Sequence, residues 1–358
     1  MNNEFKATID LNFYGWNNML DQLKQESEYK VLPHGRVSIV HRTCYEVISG
    51  NGLFQCELAG NMIYGKPDFE LPCTGDWVIF QPFDGNKGII VGMLPRERTL
   101  CRRKSGTVAD KQVIASYVDK AFIVQSLDDN FNVRRAERLM IQILAENIRP
   151  VLVLNKADLD FDERKVKKQL GHIARQMPVF FTSVLYPGKI LKLRESIAEG
   201  ETVVFVGSSG VGKSSLVNAL CEKSLLLTSG ISQSTGKGRH TSTRREMVLM
   251  EGSGILIDTP GVREFGLAVG NPGSVNEILD LSDYAESCRF KDCGHISEPG
   301  CAVLKAVQDG IIERKVYESY LKLRREALLF SSSEHEKRRR DKSFSKIVEE
   351  VKRHKANP

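Results

Sequence analysis

Residues Gly207-Ser208-Ser209-Gly210-Val211-Gly212-Lys213-Ser214 carry the side chains and the backbone freedom needed to hold phosphate, and Ser215 extends the set. Glycines let backbone N–H groups close around an anion, and the start of a helix favours negative charge. Lys213 reaches toward β and γ phosphates, and the Ser214 hydroxyl is placed to ligate Mg²⁺. Context agrees with the pattern, because the apolar run 203–206 precedes it and the helical segment 213–220 follows it. A glycine-rich turn into a helix is the plain alternative.

Phosphate binding does not choose a base. Asn155-Lys156-Ala157-Asp158 closes the strand-like run 150–154, at the end of a strand where α/β sheets bind their ligands. It is similar to the N-K-x-D element of GTP-binding proteins, whose Asp accepts both N–H groups of the guanine edge while Asn and Lys brace the loop and cover the ring. Alone this is a weak four-residue pattern, and beside the phosphate loop it becomes strong. Ser183, after the run 179–181, falls where such proteins place a backbone contact to the guanine oxygen. Asp258-Thr259-Pro260-Gly261 fits D-x-x-G, in which Asp258 holds Mg²⁺ through water and the Gly261 amide meets the γ-phosphate.

A second chemistry lies further on. Cys288, Cys293, His295 and Cys301 place three thiols and an imidazole in one short segment. Four N/S ligands suit tetrahedral Zn²⁺, and a closed Cys₃His set reads as structural. The residues alone leave an iron–sulfur centre or unligated thiols open. The remaining cysteines, at 44, 56, 73, 101 and 221, are scattered and read as small buried hydrophobes or inert thiols.

The elements that must position these groups follow from pattern. The chain has 358 residues, 41% of them hydrophobic, and a formal charge of +6. That length suggests two or three domains. No apolar run approaches the roughly 20 residues of a membrane span, and the first ten residues lack a signal-peptide core; a cytoplasmic monomer is expected. Residues 1–32 hold one amphipathic stripe (Trp16, Met19, Leu20, Leu23) that predicts a short bracing helix. Residues 33–105 show about five short β runs broken by turn signals, which predicts a small all-β barrel or sandwich; an OB-like barrel is the favoured form, and strand pattern alone does not separate it from an SH3-like one. From 106 to 266 strands alternate with helices, including one predicted over 161–175, which implies a mainly parallel α/β sheet carrying the P-loop. Residues 267–358 read as a helical, zinc-binding, basic C-terminal domain.

Motif order is the unusual feature: ordinary GTPases run P-loop, switch I, D-x-x-G, N-K-x-D, whereas here N-K-x-D at 155 precedes the P-loop at 207 and D-x-x-G at 258, so the GTPase segment reads as circularly permuted. With Gly238-Arg239-His240-Thr241 and the run from Asp258 to Phe265, the sequence resembles the circularly permuted, ribosome small subunit-dependent GTPases of the RsgA/YjeQ/YloQ type. The resemblance implies a GTPase acting late in assembly of the 30S subunit, with hydrolysis stimulated by the subunit and coupled to release. It implies GTP and GDP as ligands, the 30S subunit and its 16S rRNA as partners, Mg²⁺ with the nucleotide, and the same four zinc ligands. Val262 stands where many GTPases carry a water-orienting Gln, and the resemblance implies that His240 takes that role. Thr241 or Thr243 is the expected switch I ligand to Mg²⁺. Two basic runs, 96–104 and 331–358, are further candidates for contacting RNA, the second with nine Lys/Arg against five Asp/Glu.

Overall fold

The computed structural model describes residues 8–103, 111–128, 130–171, 173–221, 245–258, 281–314, 316–318, 320–322 and 324–325. The chain divides into two compact units, Met1–Cys101 with Gln112–Phe265, and Arg102–Lys111 with Gly266–Pro358.

In the first unit, β1 (His34–Val40), β2 (Tyr45–Ser49), β3 (Gly52–Leu58), β4 (Trp77–Phe83) and β5 (Lys87–Met93) close a barrel in the order β1-β2-β3-β5-β4-β1. Only the β3–β5 pairing is parallel. Alternation explains why β4 is apolar almost throughout: Val78 and Phe80 join Val37, Val47, Phe54 and Ile90 inside, while Trp77 and Ile79 face outward under the N-terminal segment. The bracing helix is α1 (Asn18–Glu26), capped by the Asn17 side chain on the Leu20 amide at 3.1 Å. It uses only part of the predicted stripe. Trp16 lies before the cap and stacks on His34 at 3.9 Å, and Met19 is 45% exposed. The link from β3 to β4 carries α2 (Gly60–Ile63).

Arg36 binds the N-terminal segment to the barrel. It points out of β1, is 1% exposed, and donates to the carbonyls of Gly75 (2.9 Å), Tyr14 (2.6 Å) and Tyr117 (3.4 Å). Burial pulls its pKa down to about 10, with Asp119 nearby opposing the shift. Gly15 and Gly200, both at positive φ, let the segment approach the turn before the P-loop strand: a Cβ on Gly15 would lie 3.0 Å from the Gly200 carbonyl.

A two-stranded ribbon, β6 (Leu100–Arg103) and β7 (Lys111–Ala115), leads on from the barrel. The α/β sheet then runs β10 (Val179–Phe181), β9 (Arg149–Asn155), β8 (Lys120–Ser126), β11 (Thr202–Val206), β13 (Ile255–Asp258) and β12 (Glu246–Leu249), all parallel except β12. One face buries Phe122, Val124, Val153 and Phe205 beneath α6 (Pro187–Glu195) and α7 (Lys213–Cys221). Helix α3 (Val133–Ala145) packs on β8 and β9. The single helix predicted over 161–175 is two, α4 (Glu163–Leu170) and α5 (Ile173–Gln176). Gly171, at φ +47°, stops the first one. In the second unit, α8 (Ser282–Glu286) and α9 (Ala302–Gln308) flank the Cys/His segment.

Replacing Arg36 with Met would leave three main-chain carbonyls short of a donor. Urea unfolding should show a loss of about 2–4 kcal/mol, the range for a buried charged hydrogen-bonding partner removed singly.

Candidate functional site

Every described residue of the predicted nucleotide site lies at the carboxyl ends of the parallel strands. The P-loop leaves β11, the central strand, with Gly207 at φ +147°, Gly210 at +80° and Gly212 at +93°. A Cβ on Gly207 would fall 2.3 Å from the Val124 carbonyl, so the loop presses its backbone against β8. Val211 is buried among the sheet residues, whereas Ser209, Gly210, Ser214 and Ser215 face solvent and Ser208 is half-buried. Lys213 folds back over its own loop, donating at 2.7 Å to the carbonyls of both Gly207 and Ser208. An incoming phosphate competes for that ammonium with two carbonyl dipoles.

The loop after β9 is locked to the P-loop by one side chain. Asn155 is 4% exposed; its Nδ2 donates to the Val211 carbonyl at 2.9 Å and its Oδ1 accepts from Thr182 Oγ1 at 3.2 Å. The Thr182 carbonyl in turn accepts from the Ala157 amide at 2.9 Å. Ser183 Oγ donates to Asp158 Oδ1 at 2.5 Å and accepts from the Leu185 amide at 3.1 Å. Asp158 is thereby aimed while staying exposed. Three separate loops, at 155–158, 182–183 and 207–213, form one hydrogen-bonded frame.

Asp258 ends β13 beside the P-loop strand, half-buried. Gly261, His240, Thr241 and Thr243 lie outside the described residues. One participant not singled out from sequence is Asp128, just past β8, whose Oδ2 meets Lys156 Nζ at 2.8 Å. Lys156 and Ser126 hold the Asp128 carboxyl down at about 2. Its contribution is therefore full above the ordinary carboxylate range and is lost progressively as the pH falls from there through about 2. A Ser-x-Asp step at the end of a strand adjoining N-K-x-D is the signal that marks it.

In the second unit the Sγ atoms of Cys288, Cys293 and Cys301 and a ring nitrogen of His295 all lie within 4.8 Å of one another, a set able to hold a metal ion. Burial pushes the Cys288 thiol up, but N–H groups of Val303 and Ala302 outweigh it and the net shift is downward. Glu298 clips the knuckle, accepting from the amides of Gly294 (2.7 Å), Ile296 (2.8 Å) and Ser297 (2.9 Å). Those bonds lower its pKa to about 2.

The basic run 96–104 divides. Arg96 is committed to Asp76 at 2.6 Å, and Arg98 to Glu97 and Asp119, so two of its five cations hold the fold together.

A P-loop on a central parallel strand, an N-K-x-D loop two strands away and a motif order rotated around the sheet define a circularly permuted P-loop GTPase. A model of the RsgA GTPase family matches residues 93–268, and one of the 50S ribosome-binding GTPases matches 202–355. The small ribosomal subunit biogenesis GTPase RsgA 1 of Bacteroides thetaiotaomicron is 70% identical over 348 residues, covering 97% of this chain and 98% of its own. YjeQ from Thermotoga maritima superposes with a TM-score of 0.62 at 25% identity, over 83% of this chain and 98% of that one. YloQ, described as a circularly permuted GTPase, gives 0.61 at 24%, over 84% and 97%. The chain belongs to the RsgA GTPase family. Among the described residues no helix is long and apolar enough to cross a membrane.

A methyl group on Gly212 would sit 2.2 Å from Asn155 Nδ2 and requires a backbone conformation that favours glycine. Gly212→Ala should weaken GDP binding at least tenfold in a fluorescence titration, by breaking the frame between phosphate and base loops.

Proposed function

We propose that this GTPase acts in the cytoplasm in late maturation of the 30S ribosomal subunit, binding subunit and 16S rRNA, hydrolysing GTP when the subunit stimulates it, and leaving on hydrolysis. The observation that carries the reading is the Asn155 bridge to Val211, which makes base choice and phosphate binding parts of one rigid frame. The biogenesis role rests on the 70% identical relative, whose name gives the small subunit and whose likeness spans nearly the whole chain.

Within that reading Asp158 accepts the guanine edge N–H groups, aimed by Ser183, and Asn155 and Lys156 support and cover the ring. The P-loop amides from Gly207 to Ser215 cradle phosphates, and Lys213 gives up its loop carbonyls for them. Ser214, Asp258 and one of Thr241 or Thr243 would hold Mg²⁺, which supplies charge neutralisation at the phosphates; Gly261 meets the γ-phosphate. His240 orients the attacking water, since imidazole can position or deprotonate water near neutral pH. Nucleic-acid contact falls to the barrel and the basic C-terminal residues, the chain acting as a monomer.

Zinc is the metal we assign to Cys288, Cys293, His295 and Cys301. Tetrahedral ligands at a Zn–S distance of about 2.3 Å lie about 3.8 Å apart along an S–S edge and about 3.5 Å along an S–N edge. Cys288 and Cys301 sulfurs are 3.8 Å apart, and His295 Nδ1 is 3.5 Å from the first and 3.3 Å from the second. The role is structural, because all four positions are filled by protein.

Turnover measured with and without 30S subunits tests the function. Subunits should accelerate it, and His240→Ala should lower the stimulated rate by roughly 10²-fold with GTP affinity nearly unchanged. A rate indifferent to subunits would leave a nucleotide-gated binder, and a fully active variant would remove His240 from catalysis. Chelation of the full chain should release one zinc and melt the second unit in circular dichroism while nucleotide binding persists. An unchanged helical signal after the metal is gone would rule out the structural role.

A further inference from the structure

The Asp128–Lys156 pair joins two loops that run side by side. Strands β8 and β9 are adjacent and parallel, with Ser126 in register with Asn155, and the Leu127 amide donates to the Asn155 carbonyl at 2.9 Å. Asp128 has both oxygens engaged. One meets Lys156 Nζ at 2.8 Å, and the other accepts from Ser126 Oγ at 2.6 Å and from the Asn130 amide at 2.9 Å. A carboxylate held on both sides cannot swing, so the lysine is the member whose freedom the contact removes. Lys156 needs that restraint. It sits at φ +61°, a conformation uncommon for a side chain with Cβ, and its four-carbon stem has a large rotamer entropy.

We propose that Asp128 is a positioning residue for nucleotide recognition, anchoring the Lys156 ammonium so that the lysine stem forms a fixed shelf for the guanine ring. This rests on the guanine reading of the site. Both side chains are about one-third exposed, 36% for Lys156 and 31% for Asp128, so the pair stands at the surface where a planar ligand reaches the stem. An exposed ion pair in water contributes little to stability; here its work is to select one lysine conformation before the ligand arrives, which reduces the entropy lost on binding.

A double-mutant cycle on the full chain tests this, with the dissociation rate of a fluorescent GDP as readout. Asp128→Asn, which keeps shape and removes charge, should speed dissociation about tenfold, as should Lys156→Met. The double variant should be no faster than Lys156→Met alone, because the aspartate acts only through the lysine. Multiplying effects in the double variant, or a wild-type rate in Asp128→Asn, would overturn the proposal. Should Asp128→Asn fail to fold, Ser126→Ala loosens the same carboxylate and should give about a threefold change, its absence counting against the anchor. Competition by ADP separates the two levels of inference. If ADP displaces the probe from wild-type protein as well as GDP does, the guanine reading fails; if GDP is preferred and the cycle is additive, the anchor alone fails.

Discussion

The P-loop backbone approaches the Asn155 amide so closely that no side chain fits between them. A Cβ on Gly212 would come within 2.2 Å of Nδ2, which instead donates to the neighbouring Val211 carbonyl. Much of the site follows from that contact. Asn155 occupies the last position of β9, and its height is set by the parallel pairing that carries β9, β8 and β11 side by side. Thr182 is drawn in from the β10 end to satisfy its oxygen, and with Thr182 comes Ser183, which orients Asp158. A buried amide with no water to turn to must find these partners. The result is a loop at 155–158 tied by hydrogen bonds to both of its neighbours.

Circular permutation is tolerated because this frame depends on which strands are neighbours and not on the order in which they are made. The sequence β10-β9-β8-β11-β13-β12 across the sheet puts the P-loop strand between the N-K-x-D strand and the D-x-x-G strand, whatever the chain path. Ligands of open α/β sheets bind outside the carboxyl ends of strands. That rule concerns edges and dipoles in space, and it is indifferent to where a chain is cut.

Much of the site was legible because its chemistry is written in contiguous residues. The P-loop, N-K-x-D and the Cys/His knuckle each carry their meaning within a dozen or so positions, and alternation of apolar runs located the barrel and the sheet. What could not be read depends on distant partners. Arg36 in a strand looks like a solvent-facing cation, yet its three acceptors lie up to 81 positions away. Arg96 and Arg98 look like part of a nucleic-acid patch until Asp76 and Asp119 are folded beside them. Asp128 looks like an ordinary turn residue, since only the register of β8 with β9 brings it to Lys156. The helix expected over 161–175 failed for a local reason, an intervening glycine at positive φ.

The parallel pairing of β8 with β11 has a consequence for how the protein is born. Strand β8 is made early and finds β9 soon afterwards, but its other edge is completed only when Thr202–Val206 leaves the ribosome. Until then the growing chain carries Phe122 and Val124 on a half-built sheet with an open backbone edge. Unpaired apolar edges invite association with other chains. Emergence of that five-residue strand gives β8 its second partner, and the edge it leaves open in turn stays uncovered until Ile255–Asp258 follows, so the sheet grows outward from the N-K-x-D side.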